Sequence, residues 1–169
     1  MKLDNWEDKV IFRPMNERDV PEVYQIERVS FSYPWFPSLF IRETKKPGFS
    51  FFQVMKLNGK IIGYAGYWKI RNEAHLVDLA IHPDWRRRGL GSRFFRYIID
   101  QIKSKGMDLV TLEVRETNLV AQRFYEKFDF QKIAVRRAYY KDTGENAIIY
   151  WKKLGKIQNK PQYLPKSKA

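Results

Sequence analysis

The segment from residue 76 to residue 115 constrains the fold more than any other part of this chain. Residues 76–81 are apolar and stop at Pro83, as a strand does. After a turn with two glycines, apolar residues fall at Leu90, Phe94, Phe95, Ile98, Ile99 and Ile102, the spacing of one helix face. Gly106 ends that helix, and residues 109–115 read as a second strand. Two strands joined through a helix lie parallel in one sheet.

The other segments predict mostly antiparallel neighbours around that pair. Residues 10–12 read as a short strand, and Asp19 then caps a helix carrying Val20, Val23, Tyr24 and Ile26. Pro34 and Pro37 break the chain around Trp35, and Leu39, Phe40 and Ile41 open a second short helix. Residues 49–57 and 60–70 are apolar runs joined at Asn58-Gly59, a strong hairpin signal. Residues 118–128 form a short helix, and 130–140 with 147–154 make a closing hairpin. The expected order is β-α-α-β-β-β-α-β-α-β-β. That is an α/β (α+β) fold, a mixed and mostly antiparallel sheet of seven strands flanked by about four helices.

A chain of 169 residues suits one domain, expected over residues 1–154. Residues 155–169 hold Lys156, Lys160, Lys166 and Lys168 with two prolines and no acid, and read as a basic, flexible tail. The net charge of +13 predicts anionic partners. Contact of the tail with the ribosome or RNA is one such expectation. No run approaches the roughly 20 apolar residues of a membrane span, and residues 1–10 lack the apolar core of a secretory signal. No membrane partner and a cytoplasmic location are therefore expected. The chain has no cysteine, which excludes disulfides, thiolate metal sites and a cysteine nucleophile. No metal is expected.

The turn itself reads Arg86-Arg87-Arg88-Gly89-Leu90-Gly91. Backbone N–H groups at such a helix start are available to an anion, and the helix dipole favours one. Glycine lets a phosphate come close to the backbone. No Gly-Lys-Ser/Thr follows, so it is not a P-loop. The plain alternative is a turn with a solvated arginine run.

Arg86-x-x-Gly89-x-Gly91, after a strand ending Leu79-Ala80-Ile81, resembles the acetyl-CoA pyrophosphate loop of the GNAT N-acetyltransferase superfamily. The order of elements is similar over about residues 8–154. Three further segments resemble one branch, the RimI-like protein N-terminal acetyltransferases of bacteria and archaea. They are Phe31-Ser32-Tyr33-Pro34-Trp35, then Leu112-Glu113-Val114-Arg115 with Asn118, Ala121 and Tyr125, then Arg136-Arg137-Ala138-Tyr139-Tyr140. The resemblance implies acetyl-CoA as cofactor, in a slot where the parallel strands splay apart. It implies that Arg86, Arg87, Arg88, Gly89, Leu90, Gly91 and Ser92 hold the pyrophosphate. The backbone of Leu79, Ala80 and Ile81 would bind the pantetheine arm, with an N–H near Leu79 polarising the thioester carbonyl. One position departs from the pattern: Asp129 stands where such sequences commonly have a helix-ending glycine, and aspartate tolerates the left-handed backbone needed there.

Acetyl transfer to an α-amine of pKa about 7.7–8.0 is helped by a base. On residues 109–115, Val110, Leu112 and Val114 share one face, and Thr111, Glu113 and Arg115 the other. The resemblance makes Glu113 the base; an exposed glutamate paired with Arg115 is the plain alternative. His75, expected to open the strand over 76–81, is the rival base, its ordinary pKa near 6.5 suiting the role. The resemblance makes Tyr125 the acid for the leaving thiolate, against a plain core role beside Phe124 and Phe128. It also puts Asn118 on the cofactor, a role compatible with a helix N-cap. Tyr33, Pro34 and Trp35, with Tyr139 and Tyr140, would clamp the acceptor; the alternative is that Trp35 and Phe36 plug the core.

The implied function is acetyl transfer from acetyl-CoA to the α-amino group of a protein or peptide N-terminus, ribosomal proteins among the candidates. With no cysteine, direct attack of the amine in a ternary complex is the route. Acetylation of lysine or a small amine stays open, as does a non-catalytic basic module binding RNA or the ribosome.

Overall fold

The computed structural model describes residues 6–155, and of Trp6 and Glu7 the backbone only. The expected tail beyond Gly155 lies outside the described residues. In chain order the elements are β1 (Val10–Pro14), α1 (Val20–Ser30), α2 (Pro37–Thr44), β2 (Ser50–Leu57), β3 (Lys60–Ile70), β4 (Glu73–Ile81), α3 (Leu90–Ser104), β5 (Leu109–Arg115), α4 (Leu119–Lys127), β6 (Gln131–Tyr140) and β7 (Glu145–Lys153). This is the order expected from the sequence. The seven strands run β1-β2-β3-β4-β5-β7-β6 across one sheet. Pairing is antiparallel for β1/β2, β2/β3, β5/β7 and β6/β7. It is parallel for β4/β5, where Glu73, Ala74 and His75 face Leu109, Val110 and Thr111.

The backbone gathers into two compact units. Among the described residues, the first contains the chain up to Trp68 and Val77–Ile102, and the second contains Lys69–Leu76 and the chain from Lys103 to Gly155. In the first unit, Val23, Ile26, Phe40, Phe52, Val54 and Tyr64 form the core. The α3 helix buries Leu90, Phe94, Phe95, Ile98, Ile99 and Ile102, the stripe read from the sequence. Six such side chains contribute on the order of 10 kcal/mol before the ordering cost is subtracted. Asn58 (φ 49°) and Gly59 (φ 79°) both lie in the left-handed region, as a two-residue hairpin turn between β2 and β3 requires.

In the second unit, β5 buries Val110, Leu112 and Val114 on one face, with Ile148 and Tyr150 of β7. The α4 helix starts at the N-cap Asn118, whose Oδ1 accepts from the Ala121 N–H at 3.1 Å. It ends before Asp129, whose φ of 63° is the left-handed conformation expected there.

Two local expectations are corrected. β4 begins at Glu73, not residue 76, because Glu73 and His75 are buried despite their polarity. Asp19 stands at the N-cap of α1 but makes no capping bond with its side chain. Its carboxylate instead takes both Arg13 guanidinium nitrogens, at 2.7 Å each, and the Asn16 N–H.

Candidate active site

In the second unit, the parallel ladder sets His75 beside Thr111, and Glu113 follows Thr111 on the same face of β5. The side chains meet accordingly. His75 Nδ1 is 3.0 Å from Thr111 Oγ1, and His75 Nε2 is 3.0 Å from Glu113 Oε2. The His75 and Glu113 side chains are only 6% and 9% exposed, so the pair is shielded from bulk water. An ionised carboxylate only accepts, so Nε2 carries the proton toward Glu113. The Thr111 hydroxyl can serve Nδ1 as donor or acceptor.

The other Glu113 oxygen, Oε1, faces the Tyr139 hydroxyl, which donates across 3.4 Å, long for such a bond. Arg115 does not pair with Glu113. Its guanidinium binds Asp142 at 2.6 Å and Glu145 at 3.4 Å and lies 3.9 Å from the centre of the Tyr140 ring. The plain alternative for Glu113 is thereby overturned. Burial, reinforced by the nearby Glu113 charge, pushes the Tyr140 phenol well above its ordinary pKa against the pull of Arg115. Tyr139 is buried and its ring is crossed edge-on by Tyr140 and stacked by Arg136.

Tyr125 is buried on α4 against Phe124 and Phe130, the surroundings of a core aromatic. The capping role of Asn118 is realised. The structure thus joins His75, Glu113 and Tyr139 in one cluster, and packs Tyr125 against Phe124 and Phe130.

In the first unit, β4 runs into the glycine turn and α3. Arg87 (φ 60°) and Gly89 (φ 74°) are both left-handed, and a side chain at Gly89 would meet nothing within 4 Å. The first backbone bond of α3 runs from Arg93 N–H to Gly89 O at 3.0 Å, so the amides just before it point out of the helix start. Two arginines brace the turn. Arg86 reaches Ile81 O at 2.8 Å and Ser30 Oγ at 2.9 Å, and Arg88 reaches Asp84 O at 3.2 Å while covering the Trp85 ring. His82 accepts from the Asp84 N–H at 3.2 Å and so braces the turn. The Leu79 N–H donates to Asp78 Oδ1 at 2.9 Å, so here that expected donor to a thioester has an internal acceptor.

The loop between α1 and α2 divides its aromatics. Trp35 is half-buried against Phe40 and Phe52, whereas Tyr33 and Phe36 are 62% and 71% exposed. Trp35 packs on the core with part of its surface still exposed, whereas Phe36 does not plug it. Under the loop, the buried Glu27 carboxyl accepts the Trp35 N–H at 2.8 Å and, through a short bond, the Tyr64 hydroxyl. Tyr64 also reaches Asp78 Oδ2 at 3.3 Å. Sequence reasoning missed Glu27. The signal was there, since Glu27 follows Val23 by four residues on the apolar face of α1.

The sequence model of the acetyltransferase (GNAT) family matches residues 20–130. A Bacillus subtilis (strain 168) relative, provisionally named a [ribosomal protein bS18]-alanine N-acetyltransferase, is 36% identical over 143 residues, 85% of this chain and 95% of its own. The crystal structure of the ribosomal-protein-S18-alanine N-acetyltransferase from Escherichia coli superposes with a TM-score of 0.80 at 28% identity, covering 92% of this chain and 99% of that one. Ard1 from Thermoplasma volcanium does so with a TM-score of 0.80 at 27% identity, over 88% and 99% of the two chains.

Proposed function

Because this chain belongs to the acetyltransferase (GNAT) family, we propose that it transfers the acetyl group of acetyl-CoA to the α-amino group of a protein N-terminus. The observation that carries the reading is the buried His75–Glu113 pair, with Glu113 Oε1 facing a tyrosine hydroxyl. The turn at residues 86–92 fits the cofactor's pyrophosphate. It offers helix-start amides, bracing arginines and, at Gly89, open space where a side chain would stand. Bound acetyl-CoA supplies an activated acyl group with a thiolate as leaving group.

The chain's own residues do the rest. Both ring nitrogens of His75 are engaged, one by Thr111 and one by Glu113. Glu113 Oε1, with its long Tyr139 contact, is the oxygen that takes the proton of the attacking amine, directly or through a water. An α-amine of pKa about 7.7–8.0 is partly protonated near neutrality, so removing that proton matters. His75 is then a positioning residue that holds Glu113, and the two rival bases of the sequence reading become one unit. Tyr125 is the acid for the leaving thiolate, and Asn118, Leu79, Ala80 and Ile81 contact the cofactor. Tyr33, Pro34, Trp35, Tyr139 and Tyr140 bind the acceptor. The chain has no cysteine to carry the acetyl group, so the amine attacks it directly. The cytoplasm is the compartment this reading assigns, and the basic tail would contact the ribosome or RNA.

The test is an acetylation panel of peptides that differ in their first two residues, with modified positions located by mass spectrometry. N-terminal alanine, named in two relatives, is the first acceptor to try. Acetylation of α-amines is expected. Exclusive acetylation of lysine side chains would replace this reading with the ε-amine one, and RNA binding without acetyl transfer would replace it with the binding module.

A further inference from the structure

The register of the β6/β7 hairpin contains an irregularity that the mechanism has not used. Arg136 faces Ala147 and Tyr140 faces Glu145. Between those pairs β6 holds three residues, Arg137, Ala138 and Tyr139, while β7 holds one, Asn146. At the centre of the bulge Ala138 has φ 50°, in the left-handed region that alanine rarely adopts.

The bulge decides where Tyr139 points. Glu113, Ile149 and Ala134 stand in one row across β5, β7 and β6, and Arg115, Ala147 and Arg136 in the next. Paired residues share a face, so regular alternation from Arg136 would put Ala138 and Tyr140 on the Glu113 side and Tyr139 on the opposite one. Tyr140 is on that side, under Arg115. Tyr139 is there too, with its hydroxyl on Glu113. Two consecutive side chains on one face require the break in the strand.

Asn146 is the residue that answers the break. Its Oδ1 accepts the Ala138 N–H at 2.9 Å, and its own carbonyl accepts the Glu116 N–H at 3.1 Å. One bond grips the left-handed alanine, and the other fixes the gripping residue to the chain just past β5. We infer that Asn146 is a positioning residue for the proton transfer, holding Ala138 left-handed so that Tyr139 is turned onto Glu113. The inference rests on the proposed role of Glu113. Asn146 touches no reacting atom and acts through Tyr139.

The experiment measures acetyl transfer to a peptide acceptor, with acetyl-CoA affinity titrated separately. Asn146→Ala is expected to lower kcat about tenfold, the size of one misdirected hydrogen bond, with acetyl-CoA affinity unchanged. Asn146→Asp keeps an oxygen acceptor and is expected to keep kcat. Ala138→Gly, which adopts the same backbone without help, is expected to restore kcat in the Asn146→Ala chain. In a Tyr139→Phe background, Asn146→Ala is expected to add nothing further. An undiminished kcat in Asn146→Ala, or an equal loss with and without the Tyr139 hydroxyl, overturns the inference. Where the single variant does not fold, the Ala138→Gly/Asn146→Ala chain carries the test, and a kcat well below the unmodified protein's overturns it. Glu113→Gln separates the two layers. If it keeps full turnover, the reading of Glu113 fails; if it is inactive while Asn146→Ala is fully active, only the role of Asn146 fails.

Discussion

Replacing Glu27 by alanine is expected to lower thermal stability by about 10 °C and to weaken acceptor binding more than acetyl-CoA binding. Glu27 is 1% exposed, and its carboxylate accepts from both the Trp35 N–H and the Tyr64 hydroxyl. Alanine leaves both donors without it, at about 1–3 kcal/mol each. Tyr64 is fully buried, so water does not replace the lost acceptor, although Asp78 at 3.3 Å offers partial relief. Trp35 is only half-buried, which puts its share at the low end. A total of about 3 kcal/mol follows, and for a domain of this size each kcal/mol moves Tm by about 2–4 °C. Glu27→Gln keeps one acceptor oxygen and should lose roughly a third as much. Melting curves read the stability, and steady-state kinetics with varied peptide read the acceptor KM. A Glu27→Ala chain that melts within about 2 °C of the unmodified protein, with its acceptor KM unchanged, would refute the reasoning.

Other outcomes follow from the same geometry. Glu113→Gln is expected to lower kcat by about 100- to 10,000-fold with acetyl-CoA affinity retained, read by kinetics and calorimetric titration. Tyr125→Phe should lower kcat by less, because the thiolate it would protonate is a weak base, its thiol having a pKa of about 8.5. Gly89→Ala puts a side chain on a φ of 74°, so a stability loss of about 1 kcal/mol and a weaker acetyl-CoA affinity are expected from melting and titration. Burial alone would raise the Glu43 pKa, but bonds from Lys46, Ser50 and Trp68 hold it below the usual value. Its folded pKa is depressed, so its contribution is present above pH about 4.3 and lost as pH falls through the folded value. The Tm gap between the unmodified chain and Glu43→Gln should therefore narrow between pH 6 and pH 3.

Much of the fold could be read because it rests on local chemistry. The Asn58-Gly59 turn, the apolar stripe of α3 and the left-handed Asp129 each follow from what a few neighbouring residues can adopt. Glu113 could be placed on the polar face of β5 by alternation alone. What escaped depends on contacts distant in sequence. β4 was read three residues short because Glu73 and His75 are polar yet buried, and it is the Thr111–His75–Glu113 contact that makes burying the histidine tolerable. Tyr139 could be read as an acceptor residue, but its contact with Glu113 escaped for a different reason. Alternation assumes an unbroken ladder, and nothing in Arg136-Arg137-Ala138-Tyr139-Tyr140 announces a break whose partner is on the opposite strand.

The position of β6 at the end of the sheet order has a consequence for how copies of this protein behave in a crowded solution. An outermost strand is a template on which another chain's strand can grow, and Ile133 and Val135, 37% and 43% exposed, add apolar attraction. The exposed Lys132 and Arg137 oppose this, since a second copy would bring the same charges to the join. The register breaks at Lys132/Ala134 and Arg136/Tyr140 also deny a newcomer an even row of hydrogen bonds. The same kink that aims Tyr139 therefore guards against aggregation, and a variant straightened there would gain a smooth, sticky border.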